Sequence, residues 1–333
     1  MTQATAAQAP RLIALDWGTS SLRGYLLGDH GQVLEERAAP WGVMQLADRD
    51  FAGAFQHLVG PWLSRAPTIP AIAAGMIGGT QGWRDVPYRF APTGIADLAE
   101  GLGVIDGGAG ARLHVVPGVA DFGAAPNVMR GEETEVMGVL GLRPDLGGGC
   151  RIVSPGTHSK WIRVEGSKIG AFTTYMTGEV FGVMSAHSIL GAPALAAVAA
   201  LPPSPHWPAF ERGVAAVRAS PAGLWPLMFS ARALILARRL AAAHSLDYLS
   251  GLLIGEELRC AELAGDLDGA VPLVVVGAAG LTARYLRALA VIDGPPADVI
   301  EAPAIAGLWR IAGQAGLIEP SPFHQRVQDG VGG

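Results

Sequence analysis

The 333-residue chain is half hydrophobic, only 16% charged, and carries a net charge of −5. This composition excludes a disordered chain, and the acidic balance leaves no basic footprint for nucleic acid. No run reaches the roughly 20 apolar residues of a membrane span, and Met1–Arg11 lacks the apolar centre of an export signal.

Residues 1–10 therefore read as a frayed tail. A cytoplasmic protein is expected, with Cys150 and Cys260 as free thiols because they show no metal spacing. Leu12–Leu15 and Tyr25–Leu27 are short apolar runs on either side of Gly18, Thr19, Ser20 and Ser21, which predicts strand, tight turn and strand. An acidic residue, Asp16, ends the first strand. A turn of small and hydroxyl residues offers N–H and O–H donors to a phosphate, while Asp16 can hold Mg²⁺ through water. The same residues also fit a plain hairpin with a solvated turn.

Gly31–Arg37 predicts a third strand, and the spacing of Phe51, Phe55, Leu58 and Leu63 a helix over Asp50–Leu63. Ala71–Ile77 reads as a buried strand running into a glycine-rich turn that ends at Trp83. A strand follows at Leu113–Val116, then a helix over Met129–Leu142 with Glu132, Glu133 and Glu135 early, where the helix dipole favours anions. Pro144 and the glycines through Gly149 mark a linker over 144–150.

Beyond the linker the opening pattern returns. Arg151–Val164 is again strand, small-residue turn and strand, and a hairpin leads into Ile169–Tyr175. Two halves opening on the same unit suggest an internal duplication, with lobes over 11–143 and 151–333. Pro202–Pro208 predicts a loop, Trp225–His244 and Gly255–Leu263 helices, Leu273–Val276 a buried strand, and Thr282–Ala290 a helix. The alternation places the chain in the α/β class. Trp207, Trp225 and the apolar helix near residue 234 are candidates for a homodimer surface.

Three segments carry a resemblance: Asp16–Arg23, Pro155–Trp161 and Gly277–Leu281. They resemble the phosphate-1, phosphate-2 and adenosine motifs of the superfamily of sugar kinases, Hsp70-type chaperones and actin. Within it the chain resembles the 2-dehydro-3-deoxygalactonokinase family, through Gly75–Gly78, Gly82–Tyr88, Met129–Thr134, Pro155–Trp161, Thr174–Glu179 and Tyr248–Glu257. The resemblance implies two RNase H-like lobes with a central cleft, ATP and Mg²⁺ as cofactors, and a sugar acid as substrate. Phosphorylation of the C6 hydroxyl of 2-dehydro-3-deoxy-D-galactonate is the implied reaction. The alternatives are another sugar acid, such as the gluconate epimer, and an exopolyphosphatase-like hydrolase.

Phosphoryl transfer requires a polyphosphate cradle, a metal and a base near the acceptor oxygen. Gly18, Thr19 and Ser20 would cradle phosphates from one lobe, and Gly156, Thr157 and His158 from the other, with Asp16 for Mg²⁺. Lys160, one of only two lysines, either neutralises phosphate or is a solvated strand residue. Gly277, Ala278 and Gly280 would let backbone approach the adenosine. Sugar kinases of the superfamily place an Asp after a Gly in the comparable helix. Here Gly131 is followed by Glu132 and Glu133, which lie about 100° apart on a helix, so at most one of them faces the cleft; the reading leans to Glu132, and the alternative is that both only cap the helix. The substrate carboxylate calls for an arginine, with Arg23 and Arg130 ahead of Arg84 and Arg89. Trp83 and Tyr88 would wall the sugar pocket or belong to the core, and Met76, Thr177 and Glu179 complete the substrate candidates. No P-loop or dinucleotide fingerprint occurs, which argues against a P-loop ATPase or a nicotinamide dehydrogenase.

Overall fold

The computed structural model describes residues 9–108, 110–197 and 204–323. Residues 1–8 of the expected tail and the first two positions of the expected 202–208 loop lie outside the described residues. Within that loop, Trp207 and Pro208 already belong to a helix.

The chain opens with β1 (Leu12–Trp17), β2 (Leu22–Leu27) and β3 (Val33–Ala39), followed by α1 (Phe51–Arg65). Asp50 starts α1 by accepting the Gly53 N–H over 2.8 Å, and Phe55, Leu58 and Trp62 face the core. Each such burial stabilises by about 1.5–3 kcal/mol. Then come β4 (Ala71–Ala74), β5 (Arg89–Phe90), α2 (Ile95–Glu100), β6 (Gly103–Asp106), β7 (Arg112–Val115), β8 (Val119–Asp121), β9 (Asn127–Met129) and α3 (Glu132–Leu142). The main sheet runs in the order β3-β2-β1-β4-β7-β6. β1 is antiparallel to β2 and parallel to β4, and β4 is parallel to β7.

After a turn at Pro144–Gly148 come β10 (Gly149–Ser154), β11 (Ser159–Glu165), β12 (Lys168–Tyr175), α4 (Thr177–His187), α5 (Ala192–Ala196), α6 (Trp207–Arg218), α7 (Ser230–Leu236) and α8 (Ser245–Leu263). β13 (Leu273–Val276), α9 (Ala279–Val291), β14 (Ala297–Ile300) and α10 (Ala304–Gln314) finish the chain. The second sheet has the order β12-β11-β10-β13-β14, with β13 parallel to both neighbours. Both sheets begin with their own strands in the order three, two, one, four, the first then ending on β7 and β6 and the second on β14, which is the duplicated RNase H-like arrangement expected of the α/β chain.

Packing divides the chain into two units. One runs through Gly149 and takes in Arg163–Phe172 and the chain from Ala302; the other holds Cys150–Ile162 and Thr173–Glu301. The ranges expected from sequence, 11–143 and 151–333, differ from these in giving Arg163–Phe172 and α10 to the C-terminal lobe. α10 lies instead against α3 at a close helix crossing. A β-carbon on Gly138 would sit 1.9 Å from the Pro303 carbonyl oxygen, and one on Gly307 at 1.9 Å from that of Thr134. Only glycine allows the two backbones so near.

Four expected elements change. β4 stops at Ala74 because Gly75 takes φ +97°, and α3 begins at Glu132 because Gly131 takes φ +120° and Met129 already belongs to β9. The expected helix over 225–244 is a single turn at Trp225–Leu227, then α7, then a break at Arg238 with φ +57°. The expected helix over 255–263 is the last part of the longer α8. Of the homodimer candidates, Trp207 is half-buried against Phe210, whereas Trp225 is 79% exposed. No helix of the described residues is long and apolar enough to cross a membrane.

Candidate active site

In the first unit, the turn between β1 and β2 is stapled by the Gly18 N–H to the Ser21 carbonyl over 3.0 Å. The Gly18 and Thr19 carbonyls accept the N–H groups of Val43 and Met44 at 3.0 and 3.1 Å. Gly42 presses the turn from behind, since a β-carbon there would meet the Ser20 nitrogen at 2.3 Å. Thr19 and Ser20 stay exposed, and no hydrogen bond among the described residues uses their N–H or hydroxyl groups. The carbonyls thus face protein while donors remain for an anion.

Asp16, the last residue but one of β1, lies directly across from Arg23 of β2. Burial raises its carboxyl above the ordinary range, and the Arg23 charge opposes the rise. Arg23 itself is exposed.

The next layer of the site is built on glycine. A β-carbon on Gly75 would lie 2.7 Å from the Trp17 carbonyl oxygen, and one on Gly131 would lie 3.6 Å from the Gly75 Cα. The ends of β1 and β4 and the start of α3 therefore meet backbone to backbone, bringing the Asp16 strand end and the two glutamates to one place. Glu132 is half-buried and accepts the Arg130 N–H at 3.1 Å. Glu133 is fully buried; it accepts the Gly131 N–H at 2.7 Å and the Thr134 hydroxyl at 3.0 Å. Burial, with repulsion from Glu132 second, pushes the Glu133 carboxyl up to about 7 against the pull of those hydrogen bonds.

Arg130 is 9% exposed, with its guanidinium 4.4 Å above the Tyr88 ring and Nη2 donating to the Val86 carbonyl at 2.8 Å. Its Nε and Nη1 are buried without a hydrogen-bond partner. Arg84 by contrast donates to the Val104 carbonyl, and Arg89 to the Asp97 carbonyl and to Glu100. Met76 is half-buried in the turn after Gly75. The Trp83 ring stacks on Phe51 with centroids 6.4 Å apart and meets Trp17 and Phe55, so its contacts are those of a core residue.

In the second unit, the turn between β10 and β11 carries Gly156, Thr157 and His158, the last two exposed. α4 seats on this turn. A β-carbon on Gly178 would be 2.3 Å from the Gly156 carbonyl oxygen, and the Glu179 N–H donates to the Thr157 carbonyl at 2.9 Å. The Glu179 carboxylate also meets His158 Nε2 at 2.5 Å. Lys160 is buried, not a solvated strand residue, and its Nζ donates to the His158 carbonyl at 3.1 Å.

Gly277 leaves β13 at φ +143° beside the Pro155 carbonyl, and Ala278 starts α9. Gly280 is exposed, with nothing within 4 Å of where its β-carbon would stand. Thr177 donates its hydroxyl to Glu257, a buried carboxylate of α8 that sequence reasoning did not single out. It closes the Tyr248–Glu257 segment, but its partners are distant in the chain, so the segment alone gives it no role.

The family model of 2-keto-3-deoxy-galactonokinase matches residues 16–311. A Rhizobium meliloti protein carrying the 2-dehydro-3-deoxygalactonokinase name is 37% identical over 285 residues, covering 83% of this chain and 88% of that one. The 2-dehydro-3-deoxygalactonokinase of Escherichia coli is 34% identical over 281 residues, covering 84% and 89%. A crystal structure from Sinorhizobium meliloti carrying the same name superposes with a TM-score of 0.80 at 34% identity, over 91% of this chain and 98% of that one. The chain belongs to the 2-dehydro-3-deoxygalactonokinase family.

Proposed function

We propose that this kinase transfers the γ-phosphoryl group of ATP to the C6 hydroxyl of 2-dehydro-3-deoxy-D-galactonate. The products are 2-dehydro-3-deoxy-6-phosphogalactonate and ADP. Family membership supports the reaction, and one structural observation carries the mechanism. A carboxylate pair opens α3 where Gly131 rests on Gly75, beside the end of the strand that carries Asp16. Glu132, the less buried of the pair, takes the proton of the acceptor hydroxyl. Glu133 holds the Gly131 N–H and so fixes the helix start.

The turns at Gly18–Ser20 and Gly156–His158 bind the ATP phosphates through N–H and hydroxyl donors, with Lys160 bracing the second turn from beneath. Gly277, Ala278 and Gly280 give the adenosine a surface free of bulky side chains. Asp16 fits Mg²⁺: it is a hard oxygen donor that accepts no hydrogen bond among the described residues, set at a turn of hydroxyls. No group of three His, Cys, Asp or Glu side chains able to hold a metal occurs among the described residues, so water and phosphate oxygens would complete the shell. Magnesium supplies charge neutralisation of the phosphate oxygens.

Arg130 receives the substrate carboxylate. A buried guanidinium with two idle donors is costly, and an anion removes that cost. Nη1 lies under Gly78, so binding displaces that turn. We place the enzyme in the cytoplasm, where ATP is available.

A coupled ADP-release assay with Mg-ATP tests the reading. The galactonate-derived keto acid, its gluconate epimer, galactonate, glycerol and polyphosphate are offered in parallel. Release that depends on the galactonate-derived acid, with lower kcat/KM on the epimer, supports it. Turnover of polyphosphate alone moves the activity to a hydrolase.

A further inference from the structure

The second unit contains a buried carboxylate to which the proposed reaction assigns no role. Glu257, on α8, is 2% exposed and has no cationic partner among its hydrogen bonds. It is held by neutral donors only. Trp161 Nε1 donates to Oε1 at 2.7 Å, and the Tyr285 hydroxyl to Oε2 at 2.8 Å; the Thr177 hydroxyl also donates to Oε2. These donors come from β11, α9 and α4, so one side chain ties four elements together. Burial raises its carboxyl, and the donors oppose the rise.

Two branches from Glu257 end on the same turn. In the first, the Tyr285 oxygen lies 2.9 Å from Ser159 Oγ, which in turn accepts the Gly156 N–H at 3.5 Å. Since Tyr285 donates its proton to Glu257, the Ser159 hydroxyl donates to Tyr285 or to Glu257 itself, which it also reaches. The chain of donors therefore points from Gly156 to the carboxylate. In the second, Thr177 begins α4, and the next two residues grip the turn: Gly178 by packing on Gly156, Glu179 by its N–H to Thr157 and its carboxylate to His158.

We infer that Glu257 is the positioning residue of the nucleotide-phosphate turn, fixing Gly156–His158 through Tyr285–Ser159 on one side and Thr177–Glu179 on the other. The inference rests on the reading that this turn binds ATP phosphates. The carboxylate is required for its polarity. An amide of the same size would present an NH₂ group to Tyr285 and Thr177, and both hydroxyls would have to reverse. Tyr285 would then donate to Ser159 Oγ beside the Gly156 N–H, the Ser159 proton would lose its acceptor, and the first branch would lose its direction.

The test is Glu257→Gln in the full chain, with Tyr285→Phe and Thr177→Val each cutting one branch. ADP affinity is measured by calorimetry, and KM is measured separately for ATP and for the sugar acid. Glu257→Gln is expected to weaken ADP binding and raise KM for ATP by about tenfold, with KM for the sugar acid changed by less than about twofold. Each branch variant shifts the same quantities by less, and the two combined shift them by less than the product of the single effects. A folded Glu257→Gln with unchanged ADP affinity, or equal rises in both KM values, overturns the inference. Should Glu257→Gln fail to fold, unchanged ADP affinity in both Tyr285→Phe and Thr177→Val overturns it equally. ADP calorimetry needs no acceptor, so a mistaken substrate assignment leaves this result standing. A wild-type chain that binds no ADP overturns the reading of the turn itself.

Discussion

The Gly131 N–H donates to Glu133 Oε2 over 2.7 Å, so the second glutamate of the pair turns back onto the loop that launches its own helix. Glu132, half-buried, bonds the preceding Arg130 N–H at 3.1 Å. Adjacent residues of one type thus take different tasks. Glu132→Gln is expected to lower kcat by about 10²- to 10⁴-fold, the range for loss of a general base. Glu133→Gln keeps an oxygen for Gly131 and should cost about tenfold or less. Steady-state kinetics on both variants decide the matter; equal losses, or a larger one at Glu133, contradict the assignment.

The raised Glu133 carboxyl makes stability depend on pH. Its folded value of about 7 lies above the ordinary 4.5, so between these values the folded chain holds a proton that the unfolded chain releases. Stability contributed at this site is therefore full below about 4.5 and falls as pH rises through about 7, by about 3 kcal/mol at most. Denaturant unfolding at pH 5 and pH 8 should show wild type losing more stability than Glu133→Gln over that interval. Parallel losses would contradict the burial of an ionisable Glu133.

Gly75 carries both a positive φ and a close approach. Gly75→Ala would put a β-carbon 2.7 Å from the Trp17 carbonyl oxygen at φ +97°. A loss of about 1–3 kcal/mol is expected from backbone strain alone. Activity should fall further than stability, because the ends of β1 and β4 carry the site. Urea unfolding of Gly75→Ala at wild-type stability would show that the contact relaxes freely.

Arg130 is the one candidate arginine with idle buried donors. Arg130→Met keeps an apolar chain near the Tyr88 ring but removes the charge. It should raise KM for the sugar acid by about tenfold or more while leaving KM for ATP nearly unchanged. A matching rise in both would assign Arg130 to folding of the turn over Gly78 rather than to the carboxylate.

Much of this was legible locally. The Leu12–Leu27 and Arg151–Val164 units read correctly because strand, small-residue turn and strand are short-range patterns, and Asp16 and Gly18–Ser20 lie within one of them. The start of α3 was misplaced at Met129 because the sequence does not reveal that Gly131 needs φ +120°. The apolar run over 225–244 has the composition of one helix, but the chain breaks at Arg238 and leaves Phe229 and Leu236 exposed. Long-range pairing was invisible. α10 joins the first unit through glycines 169 positions apart, Gly138 and Gly307 (307 − 138). Glu257 meets Tyr285, Thr177 and Trp161 across 28, 80 and 96 residues. Trp83 stood beside a glycine-rich turn as a pocket wall would, yet its ring contacts Phe51, Phe55 and Trp17.

The most direct test is to identify the product. The purified chain is incubated with Mg-ATP and 2-dehydro-3-deoxy-D-galactonate, and the mixture is followed by phosphorus NMR with proton correlation. A phosphate ester coupled to the C6 protons, formed in step with ADP, is the expected result. ADP formed with inorganic phosphate and an unchanged sugar acid would contradict the kinase mechanism built on Glu132 and Asp16.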